Sequence, residues 1–132
     1  MSAKKTIFLL EDDLQLSRTI RKFLEHSGYK VHLAHDAREA RDLLYENPVD
    51  LMLLDVKVPY QNGFDLLSEL REEGNKTPAI FITSLHTVED LTRGFDAGCD
   101  DYIRNRLSSK SFSSVSKPIS KKTSKRTMTL LR

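Results

Sequence analysis

Between residues 5 and 104, short continuous apolar runs alternate with segments whose apolar residues recur at helical spacing, and most of the runs stop at an acid or a hydroxyl. Residues 5–10 read as a buried strand that ends in Glu11-Asp12-Asp13. Leu16, Ile20, Phe23 and Leu24 then follow a helical period, with Gly28 where that helix would end. Residues 29–34 alternate as a second strand, and Asp36 can cap a helix carrying Ala37, Ala40, Leu43 and Leu44, closed by Asn47-Pro48. The third strand, 51–54, is continuously apolar and stops at Asp55. After a loop with Pro59 and Gly63 comes a helix with Leu66, Leu67 and Leu70. Residues 79–82 form a fourth strand stopping at Thr83, a helix runs from about 88 to 97, and Tyr102-Ile103 begins a fifth strand.

Apolar strands joined by helical crossovers predict a parallel sheet buried on both faces, hence a doubly wound, five-stranded α/β fold. In such folds the ligand site lies beyond the carboxyl ends of the strands. Glu11, Asp12, Asp13, Asp55 and Thr83 all fall there.

Charge divides the chain. Residues 1–104 carry 13 Lys and Arg against 19 Asp and Glu, a net of −6, while residues 105–132 carry 8 basic residues and no acid. Eight of those last 28 residues are serine, and Leu107, Phe112, Val115 and Ile119 show no period. The expectation is a folded unit over 1–104 and a largely unstructured basic tail over 105–132. The longest apolar runs span four residues, far from the roughly 20 that cross a bilayer. With no apolar signal segment and a lone cysteine, Cys99, a cytoplasmic protein without disulfides is expected.

Carboxylates converging at one end of a sheet repel one another and raise each other's pKa, so the arrangement calls for a cation. An all-oxygen set suits a hard ion such as Mg2+. Thr83 can add a hydroxyl donor for a phosphoryl group carried on a neighbouring carboxylate. Two other chemistries fit poorly. A phosphatase of the haloacid dehalogenase type needs a second Asp two residues past its nucleophile, and Lys57 stands there. A nucleotide cradle needs a Gly- or hydroxyl-rich first loop, and this loop is acidic. His26, His32, His35 and His86 show no ligand spacing.

The run 7–13, then Leu53-Leu54-Asp55-Val56-Lys57-Val58-Pro59 with Gly63, then Ile80-Phe81-Ile82-Thr83, and finally Ala97-Gly98-Cys99-Asp100-Asp101-Tyr102-Ile103 together resemble the receiver domain of two-component response regulators. The resemblance covers residues 5–104. It implies that Asp55 accepts a phosphoryl group from a histidine kinase and that Asp12, Glu11, Asp55 and the backbone carbonyl of Lys57 hold Mg2+. It further implies that Thr83 binds the phosphoryl oxygens and that Tyr102 is the coupled aromatic switch. The domain would assist its own phosphorylation and dephosphorylation without being an enzyme in the ordinary sense. Asp90, Gly94, Phe95 and Asp100-Asp101 resemble the subfamily with a winged-helix DNA-binding domain, which implies that the parent regulates transcription through an effector domain absent from this chain.

The family pattern continues with Lys-Pro-Phe after the fifth strand, where this chain reads Asn105-Arg106-Leu107. Codons can be chosen for residues 105–115 that, with one restored base, read Lys-Pro-Phe-Glu-Leu-Lys-Glu-Leu-Leu. A one-base frameshift near codon 105 is therefore expected, leaving a fifth helix missing or irregular and favouring self-association through the uncovered flank, as a homodimer for instance. The competing reading is a switching-defective pseudo-receiver serving only as an interaction or dimerisation domain. A third, a nucleic-acid-binding tail, is opposed by the acidic folded part and the near absence of aromatics in the tail.

Overall fold

The computed structural model describes residues 4–83, 85 and 87–104. Along this stretch β1 (Thr6–Leu10), α1 (Leu14–His26), β2 (Lys30–Ala34), α2 (Ala37–Glu46), β3 (Leu51–Leu54), α3 (Gly63–Glu72), β4 (Ala79–Thr83), α4 (Val88–Ala97) and β5 (Asp101–Arg104) alternate. The fifth helix, the tail over 105–132 and His86 fall outside the described residues.

Each helix begins where a short polar side chain takes up an otherwise unpaired backbone N–H. Asp13 accepts from the amide of Leu16, Asp36 from Glu39 and Asn62 from Asp65. Thr87 and Asp90 cap α4 reciprocally, each side chain accepting from the other's backbone amide. α1 is closed by Ser27 and Gly28, the latter at φ +99°, and α4 by Gly98 at φ +105°, a left-handed position that a side chain would strain. Tyr29 donates back to Leu24 within the turn after α1, which is why β2 starts at Lys30 and not at Tyr29. At the other end of the sheet Thr83 is the last residue of β4, paired with Arg104, instead of the first residue beyond it.

All strand pairs are parallel, in the order β2-β1-β3-β4-β5. Alternate strand residues feed two cores. Phe8, Leu10, Met52, Leu54 and Phe81 face α2, α3 and α4, packing with Ala40, Leu66, Leu67 and Ala97. Ile7, Leu9, Leu51, Leu53, Ile80 and Ile82 face α1, packing with Leu16, Ile20 and Leu24. Truncating one fully buried side chain such as Leu54 to alanine would cost about 2–5 kcal/mol. The doubly wound, five-stranded parallel architecture expected from the sequence is the one observed, with four helices among the described residues.

Register places the chemistry. Leu10 and Leu54 are side-by-side partners at the ends of β1 and β3. The amide of Asp55 donates to the Leu10 carbonyl at 3.0 Å, and the amide of Glu11 donates to Ala34 at 3.0 Å. The residues that follow the two innermost strands are thereby locked next to each other.

Candidate functional site

Glu11, Asp12 and Asp55 meet at that locked junction: each offers a carboxylate oxygen, and the three atoms lie within 4.8 Å of one another. Among the described residues this is the only such group of three or more His, Cys, Asp or Glu side chains. Glu11 is buried, Asp55 half-buried and Asp12 exposed, so the cluster runs from the sheet edge outward to solvent. Asp13 does not join it; its carboxylate caps α1, accepting from Leu16 at 2.9 Å, while its own amide donates to Glu11 Oε2 at 3.1 Å.

Burial, then the charge of Asp55, push the Glu11 carboxyl up to about 8. Asp55 is also raised, chiefly by burial, and the hydrogen bond from the Val56 amide (2.7 Å), with Glu11 and Thr83 nearby, holds it back. At neutral pH Glu11 therefore keeps a proton and shares it toward Asp55. Two desolvated carboxylates bridged by one proton form a site that gains strongly from a cation, because a bound cation takes over the role of the proton. The donor set is all oxygen, and an exposed Asp12 leaves room for coordinated water, so the residues fit a hard divalent ion.

Thr83 is 2% exposed and stands near enough to Asp55 to help hold that carboxyl down. Its hydroxyl oxygen accepts from the Leu85 amide at 3.3 Å. Lys57 follows in the loop after β3 with its side chain exposed. Tyr102 does not touch the carboxylates. Its hydroxyl donates to the Leu85 carbonyl at 2.9 Å and its ring packs at 6.0 Å from that of Phe81. Leu85 thus bonds both Thr83 and Tyr102, a role that an apolar residue in a loop gives no hint of in sequence.

Of the histidines, His35 pairs with Glu39 at 3.5 Å, and neither it nor His26 nor His32 joins the acidic cluster. Cys99 is buried and its thiol is pushed up to about 12, which makes it a packing residue. No helix among the described residues is long and apolar enough to cross a membrane.

A five-stranded sheet of order 2-1-3-4-5, with acids after β1 and β3 and a hydroxyl ending β4, defines a class of signalling domain. The chain matches the response regulator receiver domain family over residues 7–122 and belongs to it. The transcriptional regulatory protein CrdR of Helicobacter pylori is 41% identical over 102 residues, covering 76% of this chain and 48% of CrdR. The chain spans about half the length of such relatives. Among solved structures, the receiver domain of HemR from Leptospira biflexa superposes with a TM-score of 0.75 at 33% identity, covering 89% of this chain and 95% of that one. The phosphorylated cyanobacterial phytochrome response regulator RcpA superposes at 0.78 with 26% identity, covering 89% and 91%. The chain is a receiver domain of two-component response regulators, and the relatives it resembles include transcription regulators.

Proposed function

We propose that the receiver domain is a phosphoacceptor module in which Asp55 takes a phosphoryl group from the phosphohistidine of a sensor kinase. The observation that carries this reading is the gathering of the Asp55, Glu11 and Asp12 carboxylates within 4.8 Å of one another, with Thr83 near enough to act on Asp55. The phosphorylated state of RcpA, a neighbour of the same fold, supports it.

In the transfer, an Asp55 carboxylate oxygen forms a bond to phosphorus while the P–N bond breaks, its electron pair returning to the imidazole. Hydrolysis later breaks the P–O bond with water, yielding inorganic phosphate and free Asp55. Glu11, Asp12, Asp55 and the Lys57 carbonyl would hold Mg2+, which when bound neutralises charge on the phosphoryl oxygens. For Asp55 to attack, the proton shared with Glu11 must leave, so both carboxylates enter the step ionised. Thr83 donates its hydroxyl to a phosphoryl oxygen. Tyr102, tied to Thr83 through Leu85, registers that contact. The fully buried first core keeps β1 and β3 fixed while this happens.

The wider reading is a cytoplasmic two-component pathway whose output is transcription, by likeness to relatives about twice as long. The test is intact mass of the chain after incubation with Mg2+ and a small phosphodonor, beside Asp55→Asn. A gain of one phosphoryl group that Asp55→Asn abolishes is the expected result. No gain by the unsubstituted chain would overturn it in favour of a receiver that acts only by association.

A further inference from the structure

Gly94 sits in the body of α4, two turns from its start, where no turn or left-handed backbone calls for glycine and nearly any other residue would favour the helix. Its reason is its neighbour. A β-carbon there would come within 2.8 and 3.0 Å of two Tyr102 ring carbons, and 3.3 Å of the Phe81 ring. The Tyr102 ring therefore occupies the space a side chain at 94 would fill, and from that seat its hydroxyl reaches the Leu85 carbonyl.

We infer that Gly94 is a positioning residue for the Asp55 site, acting through Tyr102: by leaving its side-chain space empty it seats the ring so that Tyr102 holds Leu85, and Leu85 holds the Thr83 hydroxyl. The chain of contacts is short. Gly94 admits the ring, the phenol oxygen donates to Leu85 at 2.9 Å, the Leu85 amide donates to Thr83 Oγ1 at 3.3 Å, and Thr83 stands near enough to Asp55 to hold its carboxyl down. Leu85 is half-buried against the core of Phe81 and Tyr102, so its two backbone bonds are not readily replaced by water. A methyl group at position 94 lifts the ring away from α4, and the hydroxyl loses its acceptor. The phenol is itself held above its ordinary range, first by burial, as expected of a ring enclosed at this seat.

The consequence for phosphorylation rests on the reading of Asp55 above, but the seat exists in the unphosphorylated chain and is tested there, so either claim can fail without the other. The experiment compares Gly94→Ala, Tyr102→Leu and the double variant by urea midpoint, and follows tyrosine ring and Leu85 carbonyl carbon signals by NMR, with Tyr102 assigned through Tyr102→Phe. Gly94→Ala should lower the midpoint in the unsubstituted chain and lower it far less, or raise it, when Tyr102→Leu has removed the ring, since alanine then meets only the Phe81 ring at 3.3 Å and adds helix propensity. It should also move the Tyr102 ring signals and shift the Leu85 carbonyl in the direction Tyr102→Phe shifts it. Effects of Gly94→Ala of the same size in both backgrounds, or an unmoved Leu85 carbonyl, would overturn the inference. Should Gly94→Ala alone not fold, folding of the double variant supports the seat, and its failure to fold counts against it.

Discussion

Gly63 lies so close to Asp55 that a β-carbon on it would run into the Asp55 carbonyl oxygen, with the Val56 backbone at 3.1 Å just beyond. The Gly63 amide donates to the Val56 carbonyl at 2.7 Å, folding the loop after β3 back toward Asp55. Gly63→Ala should therefore destabilise the fold by about 1–3 kcal/mol, the range for forced overpacking. It should also weaken divalent-cation binding, because Asp55 moves with its backbone. A urea titration and a cation titration of the same variant check both.

The proton held by Glu11 makes stability depend on pH with a definite sign. In the folded chain Glu11 loses its proton near pH 8, against an ordinary 4.5 when unfolded. Between those values the folded state binds more protons, so without a divalent cation the contribution of this group is full below the lower value and is lost as pH rises toward 8. The unfolding free energy from urea titrations without cation should fall between pH 6 and 8.5, by on the order of 2 kcal/mol. Glu11→Gln should flatten that fall, and Mg2+ should restore stability at pH 8.5 in the unsubstituted chain. A slope unchanged by Glu11→Gln would count against the shared proton.

Arg71 ties down the opposite end of the sheet. From α3 its guanidinium donates to the carbonyls of Gly98 (2.8 and 3.1 Å), Asn75 (3.2 Å) and Thr77 (2.5 Å), and it pairs with Asp100 at 3.5 Å. Asp100 in turn accepts from the Ala79 amide at 2.9 Å. A lysine has one ammonium and cannot span this fork. Arg71→Lys should cost about 2–3 kcal/mol in thermal or urea unfolding through lost charge-assisted bonds, with cation affinity at the far end of the sheet unchanged.

Tyr60 is the one non-glycine residue at positive φ among those described, at +77°, and its exposed ring lies under Arg38 with the guanidinium carbon 4.1 Å from its centre. The strained backbone costs about 1–2 kcal/mol and the stacked cation returns about 0.5–1. Arg38→Ala should therefore destabilise the chain slightly, and should have no effect once Tyr60→Gly is in place. Tyr60→Gly on the Arg38→Ala background should stabilise by about 1 kcal/mol. A double-mutant cycle in urea decides it.

Much of this was legible before any coordinates. Period-2 and continuous apolar runs gave β1 to β4 to within a residue because a sheet buried on both faces leaves little choice of residue type. Glu11, Asp12, Asp55 and Thr83 were findable because parallel strands must end on one side, and strand ends can be read from where apolar residues stop. What stayed hidden depends on close approach between distant segments. Gly94 looks like an ordinary weak spot in a helix until Tyr102 is placed across it. Arg71 looks like a solvated helix charge until Gly98 and Asp100 arrive beneath it. Leu85 acts through its backbone, which sequence does not encode by residue type.

The strand order has a consequence for where the molecule breathes. β1 and β3, which lead into Glu11, Asp12 and Asp55, lie inside the sheet with a neighbour on each side, while β5, which carries Tyr102, has its one pairing partner among the described residues in β4. Amide exchange in such a sheet is slowest at the centre and quickest at the rim. In the function proposed above, a phosphoryl group on Asp55 would thus be written on the part that opens last and read out by a part that opens first.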